Sequence, residues 1–281
     1  MSPTAAPFEG RTAALATRHG KEGEIAPALR PTSLTVVVAD VDTDAFGTFT
    51  GEKPRAGDPV AVAERKARAG MRVSGLDAGL ASEGSFGPHP DAPFTTVDVE
   101  VVLLVDDRLG LVVVEREVSF DTAAASVTVT PGHDPAEFLA RVGFPSQALV
   151  CRPADDSPAR ITKGIVEPEA LRRAVVAAAD ASRDGRAIVE TDLRAHLCPT
   201  RRPVIRRAAE RLARRLMTPC PSCERPGFGV ARVEPGLPCR ACGAPTRRAA
   251  ARLLGCPGCG HERREPVREA ADPAHCDRCN P

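Results

Sequence analysis

Short apolar runs broken by charged, glycine-bearing loops dominate the first 200 residues. Ala13–Thr17 and Leu34–Ala39 (LTVVVA) read as strands, and Glu22–Leu29 between them reads as a helix that ends near Pro31. The Ala-rich stretch Pro59–Ala69, with Glu64, Arg65, Lys66 and Arg68, predicts a second helix stopped by Gly70. Gly75–Pro90 (GLDAGLASEGSFGPHP) holds too much Gly and Pro for more than a short strand. Val97–Val105 and Leu109–Arg116 read as a hairpin joined at Asp106-Asp107-Arg108. Further strands are predicted at Ala125–Thr130, Ala148–Cys151 and Ala187–Glu190, and helices at Asp134–Val142 and Pro168–Ser182. Pro203–Met217 is a basic amphipathic helix with Pro in its first turn.

The picture changes at the cysteines. Eight of the ten form four Cys-x-x-Cys pairs: Cys220/Cys223, Cys239/Cys242, Cys256/Cys259 and Cys276/Cys279. Each pair sets two sulfurs on one tight turn, half of a tetrahedral Zn²⁺ site. Four halves make two four-cysteine sites, structural in role. The gaps of 15, 13 and 16 residues each accommodate a short hairpin. Two pairings are open: sequential (one with two, three with four) and nested (two with three, inside one with four). The stretch from Cys239 to Cys259 resembles a zinc ribbon and leans toward nesting. Cys151 and Cys198 stand alone and read as ordinary buried thiols. The expected architecture is α/β: a mixed sheet with flanking helices over residues 1–200, a basic linker helix over 201–218, and a double zinc-ribbon module over 219–281.

Net charge is +1, but it is unevenly spread: residues 201–281 carry 17 Arg and 8 Asp plus Glu, a net of +9. The first 200 residues hold the remaining 21 basic and 29 acidic groups, a net of −8. A basic tail suggests a nucleic-acid partner. Eight thiolates on two Zn²⁺ would lower that tail to about +5. The chain has no Trp or Tyr, and the tail only Phe228, so base-stacking platforms are scarce. No run of about 18 apolar residues could span a bilayer. Met1–Gly10 lacks the pattern of a signal peptide, and the expected location is cytoplasmic, where clustered Cys pairs favour metal over disulfides.

In the body, candidate chemistry lies in loops after strands, where ligands of open α/β sheets sit. Lys21, at the start of a helix, is a candidate phosphate ligand. Asp42 and Asp44 also suit turn formation; with Glu83 they are the candidate carboxylates for a Mg²⁺ ion. Glu190, Asp192, Arg194 and His196 crowd one strand end, with His196 or Glu190 as candidate base.

The runs ATRHGKEGEIAPAL, DTDAFGTFTGEKPR, GLASEGSFGPHP and ETDLRAHLCPTR, with the four Cys pairs, resemble a bacterial family of unknown function. More remotely, Ala13–Ala178 resembles the house-cleaning pyrophosphatases that hydrolyse inosine and xanthosine triphosphates. There ATRHGKEGEI matches the loop and helix of a phosphate-binding Lys, TGEKPR and ERKARAG a Glu-rich loop and Lys-Ala helix, and LASEGSFG a metal-binding acidic loop. That resemblance implies Lys21 on phosphate and Glu83 on metal. The chain departs from it in the first loop, where Arg18 or His19 replaces Asn, and in lacking an Asp pair. The expectation is a Mg²⁺-dependent hydrolase of a phosphorylated, nucleotide-like small molecule. The competing expectation is a nucleic-acid-binding zinc protein with a non-catalytic body.

Overall fold

The structure is a computed structural model that describes residues 7–47, 57–89, 92–155 and 161–280. The elements run β1 (Thr12–Ala16), α1 (Glu22–Leu29), β2 (Thr35–Ala39), α2 (Pro59–Ser74), β3 (Ala78–His89), β4 (Ala92–Asp106), β5 (Leu111–Ser119) and β6 (Ser126–Val129). They continue α3 (Ala136–Val142), β7 (Leu149–Pro153), β8 (Thr162–Ile165), α4 (Pro168–Ala181), β9 (Ala187–Thr191), α5 (Arg201–Leu216), β10 (Gly229–Pro235), β11 (Ala249–Gly255) and β12 (Glu262–Pro266).

Three sheets result. The first has the order β2-β1-β3-β4-β5, with β1 parallel to both neighbours and β3, β4 and β5 antiparallel. Alternation on β1 divides its residues between two layers. Ala13 and Leu15 join the core with α1 and α5, whereas Ala14 and Ala16 pack with Ala39 and Ala69 beside α2. The chain leaves β1 for β2 and then returns past β1 to reach β3. That reversal makes the carboxyl end of β1 a switch point, where loops on either side diverge and leave a crevice. The second sheet, β6-β9-β7-β8, is antiparallel and covered by α3 and α4 through Phe138, Leu171, Ala174 and Ala178. The third, β10-β11-β12, belongs to the cysteine-rich tail.

The second helix runs through Gly70 to Ser74 rather than stopping at Gly70, and two further departures bear on the site. The Gly/Pro-rich segment expected to hold only a short strand forms the 12-residue β3. Its glycines serve close approach rather than turning. A Cβ on Gly79 would stand 2.6 Å from the Ala67 carbonyl oxygen and from Met71 Cγ of α2. One on Gly84 would overlap the Arg201 guanidinium and stand 2.8 Å from both Glu100 carboxylate oxygens. The basic helix, expected as a linker, is packed into the body: Val204, Ile205, Ala208, Ala209, Leu212 and Leu216 of α5 are buried, most of them in the largest core cluster. Among the described residues no helix is long and apolar enough to cross a membrane.

Candidate functional site: a cationic cleft and two cysteine tetrads

β3 pairs with β1 only as far as Ala81, opposite Ala16, and then runs on against β4. Its overhang, Ser82 and Glu83, therefore walls the crevice at the end of β1. Ala16–His19 and Lys21 form the adjacent wall, Thr43, Asp44 and Gly47 follow β2, and Lys66 reaches in from α2. Lys163, Arg194 and Arg201 close the far side. Six lining residues are cationic (Arg18, Lys21, Lys66, Lys163, Arg194 and Arg201) against two carboxylates, Asp44 and Glu83.

Most of these cations are held from behind. Lys66 Nζ lies 2.6 Å from Glu83 Oε2. Arg201 Nε lies 2.6 Å from Glu100 Oε1, a pair with almost no exposure, and Arg201 also donates to the Leu193 carbonyl. Arg194 is gripped by Asp192, which is fully buried and also accepts from the Gly164 amide. Arg18 contacts Asp42 at 2.6 Å.

Lys21 differs. It is only 9% exposed, and its hydrogen bond is a 3.4 Å contact from Nζ to the Ser82 carbonyl oxygen. It makes no ion pair among the described residues. It sits at the amino end of α1, where Glu24 and Ile25 already turn their amides back to its carbonyl. Burial, and then the neighbouring Arg201, push its pKa down to about 8. A cation so placed gains most from an incoming anion, which would also meet the positive helix end.

The ring of His19 stacks on that of His196, with centroids 4.9 Å apart. His19 Nε2 lies 3.4 Å from Asp44 Oδ1. Burial pushes the His19 pKa down to about 4, against the pull of Asp44, and burial also lowers that of His196. Both imidazoles are neutral at neutral pH. Beneath the cleft, burial and then the adjacent Glu100 raise the Asp98 pKa to about 7.

Of the body residues singled out from sequence, Lys21, Asp44, Glu83 and Arg194 line one cleft. His196 adjoins it through His19, and Asp42 through Arg18 on the rim. Asp192 stands behind Arg194 and fixes its direction. Glu190 is elsewhere: it faces Arg152 at 3.4 Å across the second sheet. Among the described residues no three carboxylate or histidine side chains converge where the expected Mg²⁺ would sit. Glu83 is engaged by Lys66 and Asp42 by Arg18. Among the described residues only cysteine groups bring three or more donor atoms together. Lys66, Lys163 and Arg201 were not anticipated. Arg201 opened what read as a basic linker helix, and Lys163 followed no acidic loop. The Thr50–Arg55 stretch of the remote resemblance lies outside the described residues.

The tail holds two tetrads, Cys220/Cys223/Cys256/Cys259 and Cys239/Cys242/Cys276/Cys279, with all ligand atoms in each within 4.8 Å of one another. Cross-pair sulfur distances are 3.8 and 3.6 Å in the first tetrad and 3.9 and 3.6 Å in the second. A tetrahedron with Zn–S bonds of about 2.3 Å has edges of about 3.8 Å, so the spacing fits Zn²⁺. It does not fit disulfides, whose sulfurs lie about 2.05 Å apart. The pairing is neither sequential nor nested. Pair one joins three and pair two joins four, so the chain alternates between sites. Each knuckle repeats one turn, in which the first Cys carbonyl accepts from the amide four residues on: Glu224, Gly243, Gly260 and Asn280. The first tetrad leans on the body, where Arg215 donates to the carbonyls of Gly227, Val230 and Val114. Phe228 packs on Cys220 and Cys256.

A comparison with protein families matches residues 66–281 to a domain of unknown function, DUF6671. The chain belongs to this family. The matched DUF6671 span begins at Lys66, so it takes in Glu83, Lys163, Arg194, Arg201 and all eight tetrad cysteines but leaves out β1, α1 and Lys21. Comparisons with curated proteins and with solved structures return no match.

Proposed function

We propose that the cleft binds the phosphate of a small, nucleotide-like molecule and that the protein hydrolyses that molecule, with the two zinc sites serving the fold. The observation that carries this reading is Lys21: a buried ammonium at a helix amino end, in no ion pair among the described residues, in a crevice lined by five further cations. Burying an unpaired charge costs several kcal/mol, and a bound anion offsets that cost. Arg194 and Lys163 line the same crevice from its far side and would clamp the same anion. The neutral His19–His196 stack at the wall is the candidate for moving a proton to or from the attacked group. The nucleotide character of the substrate is taken from the remote sequence resemblance to inosine and xanthosine triphosphate pyrophosphatases alone. No protein-held Mg²⁺ enters the reading.

Lys21→Met is the test. It should abolish turnover of nucleoside phosphates and weaken orthophosphate binding by at least 100-fold, while thermal unfolding stays cooperative. Undiminished binding in that variant would refute the phosphate role. The competing nucleic-acid reading is less well supported, because Arg206, Arg207, Arg211 and Arg215 of α5 are paired with Glu24, Glu117 and Glu115 of the body.

A further inference from the structure

Ser82 stands out within the cleft. Its residue is 4% exposed, it lines the crevice, and its hydroxyl oxygen is buried without a hydrogen-bond partner. Buried hydroxyls are almost always satisfied, and leaving one unmade costs roughly 1–3 kcal/mol in stability studies. Its own carbonyl receives the Lys21 ammonium, so the hydroxyl and Nζ belong to one corner of the floor. The α1 amino end, Lys66 and Arg201 border the same corner.

The space is small. The crevice narrows at this floor to a cavity of about 60 Å³ that stays open on one side. A phosphoryl group with its four oxygens has five heavy atoms. The narrow floor beside the Ser82 hydroxyl and Lys21 Nζ suits one such group, with the remainder of a substrate directed toward the open side.

Resting on the hydrolase reading above, we infer that the floor is a subsite for a single terminal phosphoryl group, with the Ser82 hydroxyl donating to one of its oxygens and Lys21 neutralising it. Recognition then rests on the phosphoryl. A phosphomonoester and free orthophosphate bind alike, and a longer phosphate chain gains little because only its last unit enters.

The experiment is calorimetric titration of the full chain with orthophosphate, ribose 5-phosphate, a nucleoside monophosphate and pyrophosphate, repeated on Ser82→Ala. Thermal unfolding would confirm that the variant folds. The expected result is affinities within about tenfold of one another, all reduced roughly 10- to 100-fold in Ser82→Ala, the worth of a hydrogen bond to a charged group. Pyrophosphate binding more than about tenfold more tightly than orthophosphate would overturn the single-group floor. Unchanged affinity in Ser82→Ala would overturn the role of that hydroxyl. Should the phosphates bind as expected while no phosphate compound is turned over, the hydrolase reading fails and the subsite stands.

Discussion

The arginines of α5 and the cations of the cleft are the same kind of side chain used in opposite ways. Along α5, Arg202 and Arg206 share Glu24, Arg207 meets Glu117, and Arg211 and Arg215 share Glu115. Each guanidinium lies over the surface of the body and meets its charge there, so the helix is fastened rather than offered. In the cleft the carboxylates stand behind the cations or are fewer than they, and Lys21 forms no ion pair among the described residues. A count of charges along the chain marks α5 as the binding element. The partners of those charges mark the crevice instead.

The largest effect should come from the tail, where the two tetrads could hold zinc. Cys256→Ala should reduce bound zinc from two ions to one. It should also unfold the lobe that leans on β5, because a structural zinc site is worth roughly 10–16 kcal/mol in small peptides. Elemental analysis beside urea unfolding measures both. Retention of two zincs would show that the tetrads are wrongly assigned.

Next comes the buried pair. Glu100→Gln strands the Arg201 guanidinium in the core and should cost about 3–5 kcal/mol. Arg211→Ala, at an exposed pair, should cost less than about 1 kcal/mol. Chemical denaturation of both variants would separate the two uses of arginine, and equal costs would erase the distinction.

Acidity sharpens it further. Lys21 faces Arg201, Lys66, Glu83 and Glu100, and its folded pKa of about 8 lies below the ordinary 10.5. The unfolded chain holds that proton more tightly. The contribution of Lys21 to stability is therefore greatest above pH 10.5 and declines as pH falls toward 8. Anion binding runs the other way, because it needs the ammonium. Orthophosphate affinity should fall by up to about tenfold per pH unit above pH 8, and a flat profile there would detach Lys21 from the ligand. The smallest effect is expected of Arg211→Ala on nucleic-acid retention: no measurable change at physiological salt, whereas a loss would move α5 back among the binding surfaces.

Much of this was legible in the chain. The apolar runs at β1, β2, β4 and β5 located the first sheet, and the repeated Cys-x-x-Cys spacing named the metal ligands. The loops after β1 and β2 held Lys21 and Asp44. What escaped was tertiary. Gly79 and Gly84 look like breakers until α2 and Arg201 are seen pressing on them. Arg201 looks like one more basic residue until Glu100 is found beneath it, 101 positions away. Gaps of 15, 13 and 16 residues are too alike to reveal which knuckles meet.

The interleaving of the tetrads carries a cost in time. Cys223 is followed by 32 residues before Cys256 appears, so at roughly 5–20 residues per second a ribosome holds the first half-site open for about two to six seconds. Cys239 and Cys242 emerge in that interval and can seize the same ion. Any ion captured between the first two knuckles would have to be released before Cys256 and Cys259 could complete the first tetrad.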